Sequence, residues 1–168
     1  MKKPAIGIIE LNSLALGTVV TDAMTKRAPI EVLNSHTICP GKFLIVVAGE
    51  VDDINEAMEA GLHYGSYTLT DSIIIENLHE QVLPAMNGAN PVPEISAVGL
   101  LETWATPSCV MAADAACKAA DITLIEVRLA NGLGGKGYMT LTGELHAVEA
   151  AMEAAVAAVT SGQLILHE

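Results

Sequence analysis

GIIE, residues Gly7–Glu10, and GLLE, residues Gly99–Glu102, are two versions of one stretch that lie 92 positions apart. At the same offset the block Asp22–Ile30 falls on Asp114–Ile122, with Asp, Ala, Lys, Ala and Ile at matching positions. Similarity of this density across whole blocks indicates a duplication. The chain is therefore predicted to contain two copies of one structural unit.

Beyond these blocks the offset between the copies becomes 94. The matching blocks are Gly41–Lys42 with Gly135–Lys136, Gly49–Glu50 with Gly143–Glu144, and Ala57–Ala60 with Ala151–Ala154. The two additional residues of the second copy therefore lie within the glycine-rich run Asn131–Gly137.

Each copy predicts the same order of strands and helices. Apolar and β-branched runs predict strands at 5–11, 31–38, 43–49 and 73–75, and again at 122–130, 138–143 and 164–166. A helix capped by Asn12 or Ser13 is predicted to run to Arg27, before Pro29. The order is β-α-β-β-α-β, the ferredoxin-like arrangement of an α+β fold.

The remaining helix starts are predicted from capping patterns. Thr106 precedes Pro107, which predicts a threonine N-cap with proline at the first helical position. Asp53 and Glu56 predict a capping box at the start of the second helix.

We place the first domain at 1–90 and the second at 91–168, with the linker at Pro84–Glu94.

Composition limits the possible partners. The net charge is −12, from 8 Lys and Arg against 20 Asp and Glu, which disfavours nucleic acid and anionic membranes. No apolar run approaches the ~20 residues that span a bilayer. The start Met1–Pro4 is basic, but Glu10 and Asn12 interrupt any signal-peptide core, so we expect a cytoplasmic protein. High hydrophobicity without a membrane segment predicts apolar surface buried between subunits.

The glycine-rich run Asn131–Gly137 invites a nucleotide-binding interpretation, because Gly132, Gly134 and Gly137 fit G-x-G-x-x-G. That motif binds a pyrophosphate only where a helix follows, and here a strand-like segment follows. Lys136 is followed by glycine, so a P-loop is also excluded. The run is predicted to be a loop between two strands.

These residues resemble the bacterial microcompartment shell proteins. The Gly-Ile-Ile-Glu strand, the block Asp22–Ala28 and the glycine loop followed by Gly49–Glu50 carry the resemblance, and both copies have them. The chain is similar to the unpermuted, tandem-domain, trimer-forming class, and Thr37–Lys42 with Glu102–Trp104 is similar to the propanediol-utilisation type.

The resemblance implies that three chains supply six domains to a flat pseudohexameric disc. Such discs tile edge to edge with other shell proteins around a metabolic pathway, and the encapsulated enzymes are a further partner that the resemblance implies. The loop between the second and third strands of each domain would line a central pore for small metabolites. The implied pore-lining residues are Ile38, Cys39, Pro40, Gly41, Lys42, Asn131, Gly132, Leu133, Gly134, Gly135, Lys136 and Gly137.

The resemblance also implies tile-edge positions. Lys26 and Lys118 fall where the family has a lysine that packs against the neighbouring disc, and an ordinary solvated helix-end lysine is the alternative. His79 follows Glu76–Leu78, where single-domain relatives often have a Pro-Arg-Pro turn. The second copy ends at Glu168 without a counterpart of Leu78–Met86, a further departure from the edge pattern.

The cysteines raise a redox alternative. Cys39, Cys109 and Cys117 have no metal-ligand spacing within one chain and are expected to be free thiols. Some tandem relatives hold an iron–sulfur cluster on the three-fold axis through a cysteine in the second loop, and the matching position here is Gly137. Cys39 in the first loop could form a similar ring of thiolates. We expect a plain aperture without a cofactor or metal and keep the cluster as the alternative.

Enzymatic function is not predicted. The histidines form no H-E-x-x-H pattern and no G-x-S-x-G nucleophile elbow occurs. Glu10 and Glu102 match through the duplication, which requires no acid–base pair. A regulatory ferredoxin-like module that binds a ligand between subunits is a more distant alternative, since this fold hosts many functions.

Overall fold

The computed structural model describes residues 5–92, 94–159 and 163–167. Met1–Pro4, considered above for a signal peptide, lie outside the described residues, as do Pro93 of the predicted linker and the terminal Glu168. The chain divides into two compact units, residues 1–78 and 79–168. None of the helices within the described ranges has the length and apolar character that crossing a membrane requires.

The first unit contains one four-stranded antiparallel sheet and two long helices. Its elements are β1 (Ala5–Leu11), α1 (Leu14–Arg27), β2 (Glu31–Ile38), β3 (Lys42–Gly49), α2 (Val51–Gly65), a short 3-10 turn (Ser66–Thr68) and β4 (Leu69–Ile75). The strand order is β2-β3-β1-β4, so that β2 and β4 form the sheet edges. This is the predicted β-α-β-β-α-β arrangement.

The second unit repeats this architecture. Its elements are α3 (Val82–Met86), β5 (Ala97–Thr103), α4 (Thr106–Ala119), β6 (Thr123–Leu129), β7 (Gly137–Gly143), α5 (Leu145–Ala158) and β8 (Leu164–His167). The strand order β6-β7-β5-β8 is that of the first sheet. The two ferredoxin-like folds are confirmed. The compact units meet in sequence at 78/79, whereas the sequence-based boundary lies at 90.

The opening glycine of the duplicated stretch has the same packing role in both copies. A Cβ on Gly7 would lie 2.6 Å from Met58 Sδ, and a Cβ on Gly99 would lie 2.8 Å from Met152 Sδ. A methionine of α2 in the first unit and of α5 in the second therefore packs directly on the backbone of the central strand. Only glycine allows this close approach between helix and strand.

A second packing contact is preserved with the large and small partners exchanged. In the first unit Gly17 of α1 leaves room for the ring of Phe43 on β3. At the equivalent positions of the second unit, Cys109 of α4 packs on Gly137 of β7. Each pair has one side chain and one glycine, so the spacing between helix and sheet is retained.

Two predicted helix caps are wrong. Helix α2 begins at Val51 with Glu50 as its N-cap, so Asp53 and Glu56 do not form a capping box at its start. Helix α4 begins at Thr106 itself, and Ala105 is the N-cap. The predicted cap at Ser13 is confirmed, because its side chain accepts a hydrogen bond from the Leu16 N–H at 3.3 Å.

Candidate functional site

The first candidate pore loop is a tight turn between β2 and β3. Three residues, 39–41, separate the strands, and the Gly41 N–H donates to the Ile38 carbonyl at 3.1 Å. Gly41 has φ of +90°, a conformation that glycine adopts without the strain of a Cβ. Ile38 is buried, and Cys39, Pro40 and Gly41 are exposed at the tip. These three residues form the exposed tip of the loop.

The second candidate pore loop is longer and more strongly curved. Seven residues, 130–136, separate β6 from β7, four more than in the first loop. Two of these four are the inserted residues. The other two, Ala130 and Lys136, are counterparts of strand residues Ile38 and Lys42.

Positive φ angles curve the second loop. They occur at Ala130 (65°), Gly132 (74°), Gly134 (62°) and Gly135 (88°). Gly135 and Gly137 are buried, and the exposed part of the loop is Asn131–Gly134 with a partly buried Leu133.

At the end of each loop a lysine pairs with the glutamate of the duplicated stretch. In the first unit Lys42 Nζ lies 2.6 Å from Glu10 Oε1, and the glutamate side chain is fully buried. In the second unit Lys136 Nζ lies 3.4 Å from Glu102 Oε2, and both side chains are more than 30% exposed, at 38% and 33%. The same pair is thus buried and close in one copy and solvated and looser in the other.

The second pair includes an aromatic ring. Lys136 Nζ lies 5.9 Å from the ring centroid of Trp104, within the range of a cation–π interaction. Trp104 is itself 55% exposed at the end of β5. The longer loop is therefore held at its base by an exposed lysine between a carboxylate and an indole.

The candidate edge lysines also differ between the copies. Lys26 Nζ lies 2.6 Å from Asp22 Oδ2, and the aspartate side chain is 58% exposed. Lys118 Nζ lies 2.5 Å from Asp114 Oδ2, and that aspartate side chain is only 5% exposed. The second oxygen of Asp114 accepts the backbone N–H of His79 at 2.8 Å. Lys118 and His79 are thus brought together through one buried carboxylate.

The three cysteines have two different environments. Cys39 is exposed at the tip of the first loop, whereas Cys109 and Cys117 are buried. Burial raises the pKa of Cys109 to about 12. Burial, followed by the charge of Asp114, raises the pKa of Cys117 to about 12. Of the three thiols, Cys39 is the one placed to react or to bind a metal.

Gly137 could not hold a cysteine without rearrangement. A Cβ at this position would overlap the Cβ of Cys109 and lie 2.6 Å from Thr103 Oγ1. Within the described residues of a single chain, no group of three His, Cys, Asp or Glu side chains could hold a metal ion.

The sequence pattern did not identify Gln81 and Asn90 as structural residues. Gln81 accepts the N–H of Leu124 on strand β6 and donates to the carbonyl of Ile122, the residue before that strand, and Asn90 donates to the Leu124 carbonyl. Both lie in or beside the predicted linker, where polar residues are expected in any case.

Comparison with known proteins identifies the family. The family described as "BMC domain" matches twice, at residues 5–78 and 97–168. The chain belongs to the bacterial microcompartment shell protein family. Both matched ranges contain one complete β-α-β-β-α-β fold.

Three relatives show how far this similarity extends. The shell protein PduT of Citrobacter freundii is 44% identical over 151 residues, which cover 90% of this chain and 82% of the relative. The carboxysome shell protein CsoS1 of Prochlorococcus marinus is 30% identical over 89 residues, or 51% of this chain and 86% of the relative. A microcompartment protein structure from Desulfitobacterium hafniense has a TM-score of 0.87 at 35% identity, covering 99% of this chain and 93% of that one.

The shell protein fold also extends to a more distant structure. A fused permuted hexameric shell protein of the RMM microcompartment has a TM-score of 0.70 at 22% identity and shows the fold alone. The chain is a structural shell protein of a bacterial microcompartment, and its relatives are shell proteins, not enzymes.

Proposed function

We propose that three copies of this shell protein form a pseudohexameric tile with a pore on its three-fold axis. The two loops that follow β2 and β6 alternate around that axis. The observation that carries this proposal is the asymmetry of the loops, a three-residue turn and a seven-residue glycine-rich loop at equivalent positions. Six loops of two kinds are compatible with three-fold symmetry only.

The exposed tips define what the pore presents to solutes. The candidate rim consists of Cys39–Gly41 and Asn131–Gly134, which contribute backbone groups, the thiol of Cys39, the amide of Asn131 and the partly buried side chain of Leu133. Lys42 and Lys136 are paired with glutamates at the base of the loops, so their charge is balanced locally. Such a rim suits small polar metabolites that exchange hydrogen bonds with the backbone.

The first test uses Cys39 as a reporter of the axis. If three first-loop tips meet on the axis, a short bis-maleimide should link two Cys39 side chains within each metal-free trimer. Cys39→Ser should remove the cross-link, and the buried Cys109 and Cys117 should not replace it. A monomer by light scattering would contradict the trimeric tile. A trimer without cross-links would contradict the position of the first loops on the three-fold axis.

We also propose that Lys26 and Lys118 lie at the tile edge, with His79 beside Lys118. Lys26 has an exposed partner and is free to exchange it for a group on a neighbouring tile. Lys118 is held by the buried Asp114. Lys26→Ala should reduce sheet formation with the trimer intact, and Lys118→Ala should also lower thermal stability. Unchanged sheets by electron microscopy in both variants would contradict the edge positions.

A second candidate function is electron transfer through an iron–sulfur cluster on the axis. The exposure of Cys39 at a loop tip favours it, because cluster ligands must be thiolates at close range. Cys39 provides an exposed thiol that could bind a cluster, whereas Gly137 has no space for the side chain of a cysteine ligand. When bound, the cluster would supply one-electron chemistry, and three copies of Cys39 would hold it.

Anaerobic purification distinguishes this candidate from a plain aperture. The expected sign of a cluster is stoichiometric iron with visible absorption, lost in Cys39→Ser and retained in Cys117→Ser. Colourless, iron-free wild-type protein rules the cluster out.

A further inference from the structure

Two asparagines of the chain are followed directly by glycine, Asn87 and Asn131. An asparagine–glycine sequence is chemically labile, because the glycine nitrogen can attack the asparagine side-chain carbonyl and the glycine has no Cβ that would hinder the ring that forms. The two sites share this sequence but lie in different backbone environments. The structure can therefore distinguish their reactivity.

The Asn87 site is restrained by hydrogen bonds. Asn87 is the C-cap of α3, and its Nδ2 donates to the Leu83 carbonyl at 2.9 Å. The Gly88 N–H donates to the Ala85 carbonyl at 3.2 Å. Attack by the Gly88 nitrogen would have to break both bonds, which raises the barrier to ring closure.

The Asn131 site has no such restraint. Its side chain is exposed, and among the described residues neither its amide nor the Gly132 N–H has a hydrogen-bond partner. The Leu133 N–H donates to the Ala130 carbonyl at 3.1 Å, and Gly132 has φ of +74°, so that Asn131 and Gly132 are the two central residues of a turn. The peptide group between them takes no part in the hydrogen bond of that turn. The Gly132 nitrogen is therefore available to the adjacent side chain.

We propose that Asn131 is a site of spontaneous deamidation and that Asn87 is protected from it. The Gly132 nitrogen loses its proton to solvent base and bonds to Cγ of Asn131, and the bond from Cγ to the amide nitrogen breaks as ammonia leaves. Water then opens the five-membered succinimide to aspartate or isoaspartate. The reaction consumes one water, releases one ammonia and increases the mass of the chain by about 1 Da.

This modification changes the charge of the proposed pore rim. The rim segments Cys39–Gly41 and Asn131–Gly134 contain no Asp, Glu, Lys or Arg side chain. Either product places a carboxylate at residue 131, and three carboxylates around one axis favour cations and oppose anionic metabolites. Because the reaction proceeds with time, the fraction of negatively charged rims rises with the age of the protein. The change of pore charge rests on the trimer proposed above, whereas the reaction rests on the single chain.

Peptide mass spectrometry tests both sites in one digest. Cleavage after glutamate gives peptides 81–94 and 127–144, which contain Asn87 and Asn131. Asn90 in the first peptide precedes a proline, whose nitrogen has no proton to lose. In native wild-type protein kept in mildly alkaline buffer, peptide 127–144 should gain the added mass about tenfold faster than peptide 81–94. In denaturant the two rates should be similar, because the hydrogen bonds at Asn87 are lost.

Variants assign the added mass to one residue. Asn131→Gln lengthens the side chain by one methylene, which disfavours ring closure, and peptide 127–144 should then keep its mass over the same incubation. Asn87→Gln should leave the rate at Asn131 unchanged. Equal rates at the two sites of the native wild type overturn the proposal, as does an unmodified Asn131 or continued mass gain in Asn131→Gln.

The change of pore charge has a separate test. Asn131→Asp supplies the deamidated rim, and the exposed thiol of Cys39 lies at the tip of the other loop. In trimers, an anionic disulfide reagent should react with Cys39 several-fold more slowly in Asn131→Asp than in Asn131→Gln. A neutral disulfide reagent should react equally with both, and high salt should remove the difference. A monomeric wild type, or equal rates with the anionic reagent, contradicts the common rim of the two loops, while the peptide masses alone decide the reaction at Asn131.

Discussion

The two copies of the duplicated fold contain the same two ion pairs, but each copy buries a different one of them. In the first copy the loop pair Glu10–Lys42 is buried and the helix-end pair Asp22–Lys26 is exposed. In the second copy the loop pair is exposed and the helix-end pair is the buried one. A buried pair fixes its lysine, because separating the charges would leave a carboxylate without solvent. Exposed pairs contribute little and exchange partners readily.

This exchange gives each copy one fixed and one adaptable feature. The first copy has a fixed loop base and an adaptable helix end. The second copy has an adaptable loop base, where Lys136 also contacts Trp104, and a fixed helix end. The duplicated fold thus has a rigid ion pair at the loop base of one copy and at the helix end of the other, and an exposed pair at the two remaining places.

The loop pairs offer the largest expected difference. Lys42→Met removes the ammonium that faces the buried Glu10, and we expect the free energy of unfolding to fall by about 3 kcal/mol. Lys136→Met removes an exposed partner and should cost less than about 1 kcal/mol. Urea denaturation of both variants measures the difference. Equal losses would mean that burial of the pair does not set its contribution.

The exchanged packing contact is the next way to test the comparison. Gly137→Ala forces a methyl group against Cys109, and we expect a loss of about 2 kcal/mol from overpacking. Gly132→Ala meets no atom within 4 Å but has φ of +74°, so it should cost about 1 kcal/mol.

The pair Gly137 and Cys109 can also be tested for coupling. In a double-mutant cycle, Gly137→Ala with Cys109→Gly should lose less than the sum of the single variants, because the glycine removes the contact with Cys109 and leaves only the contacts with Thr103 and Ala105. Additive losses would show that the two positions are independent and that the resemblance to Gly17 and Phe43 is accidental.

Sequence reasoning predicted the architecture because the duplication supplied two views of each strand and long helix of the repeated fold. Strand β1 was predicted with the bounds that the structure has, and α1 with Asn12 or Ser13 as its cap, of which the structure has Ser13. The caps at Asp53 and Thr106 failed because Glu50 and Ala105 already adopt the extended conformation of an N-cap and the helices start there. A capping pattern indicates a nearby helix start and does not fix its first residue.

The differences between the copies could not be predicted in the same way. Glu10 and Glu102 occupy matching positions, yet the Glu10 side chain is fully buried and the Glu102 side chain is 33% exposed, a difference that matching residues do not encode. The roles of Gln81 and Asn90 depend on which strand edge the segment after β4 reaches, and no local pattern encodes that. The pore-lining and edge positions remain predictions until the assembled tile is measured.

The helix-end aspartates offer the smallest expected difference. Asp114→Asn retains an acceptor for the His79 N–H but loses the charge that holds Lys118, and we expect a cost of about 1.5 kcal/mol. Asp22→Asn should cost less than about 0.5 kcal/mol, because that pair is an exposed contact within one helix. The measurement is thermal unfolding of both variants with hydrogen exchange at residues 79–81. A stable Asp114→Asn protein with unchanged exchange there would mean that the buried carboxylate is not what fixes this helix end.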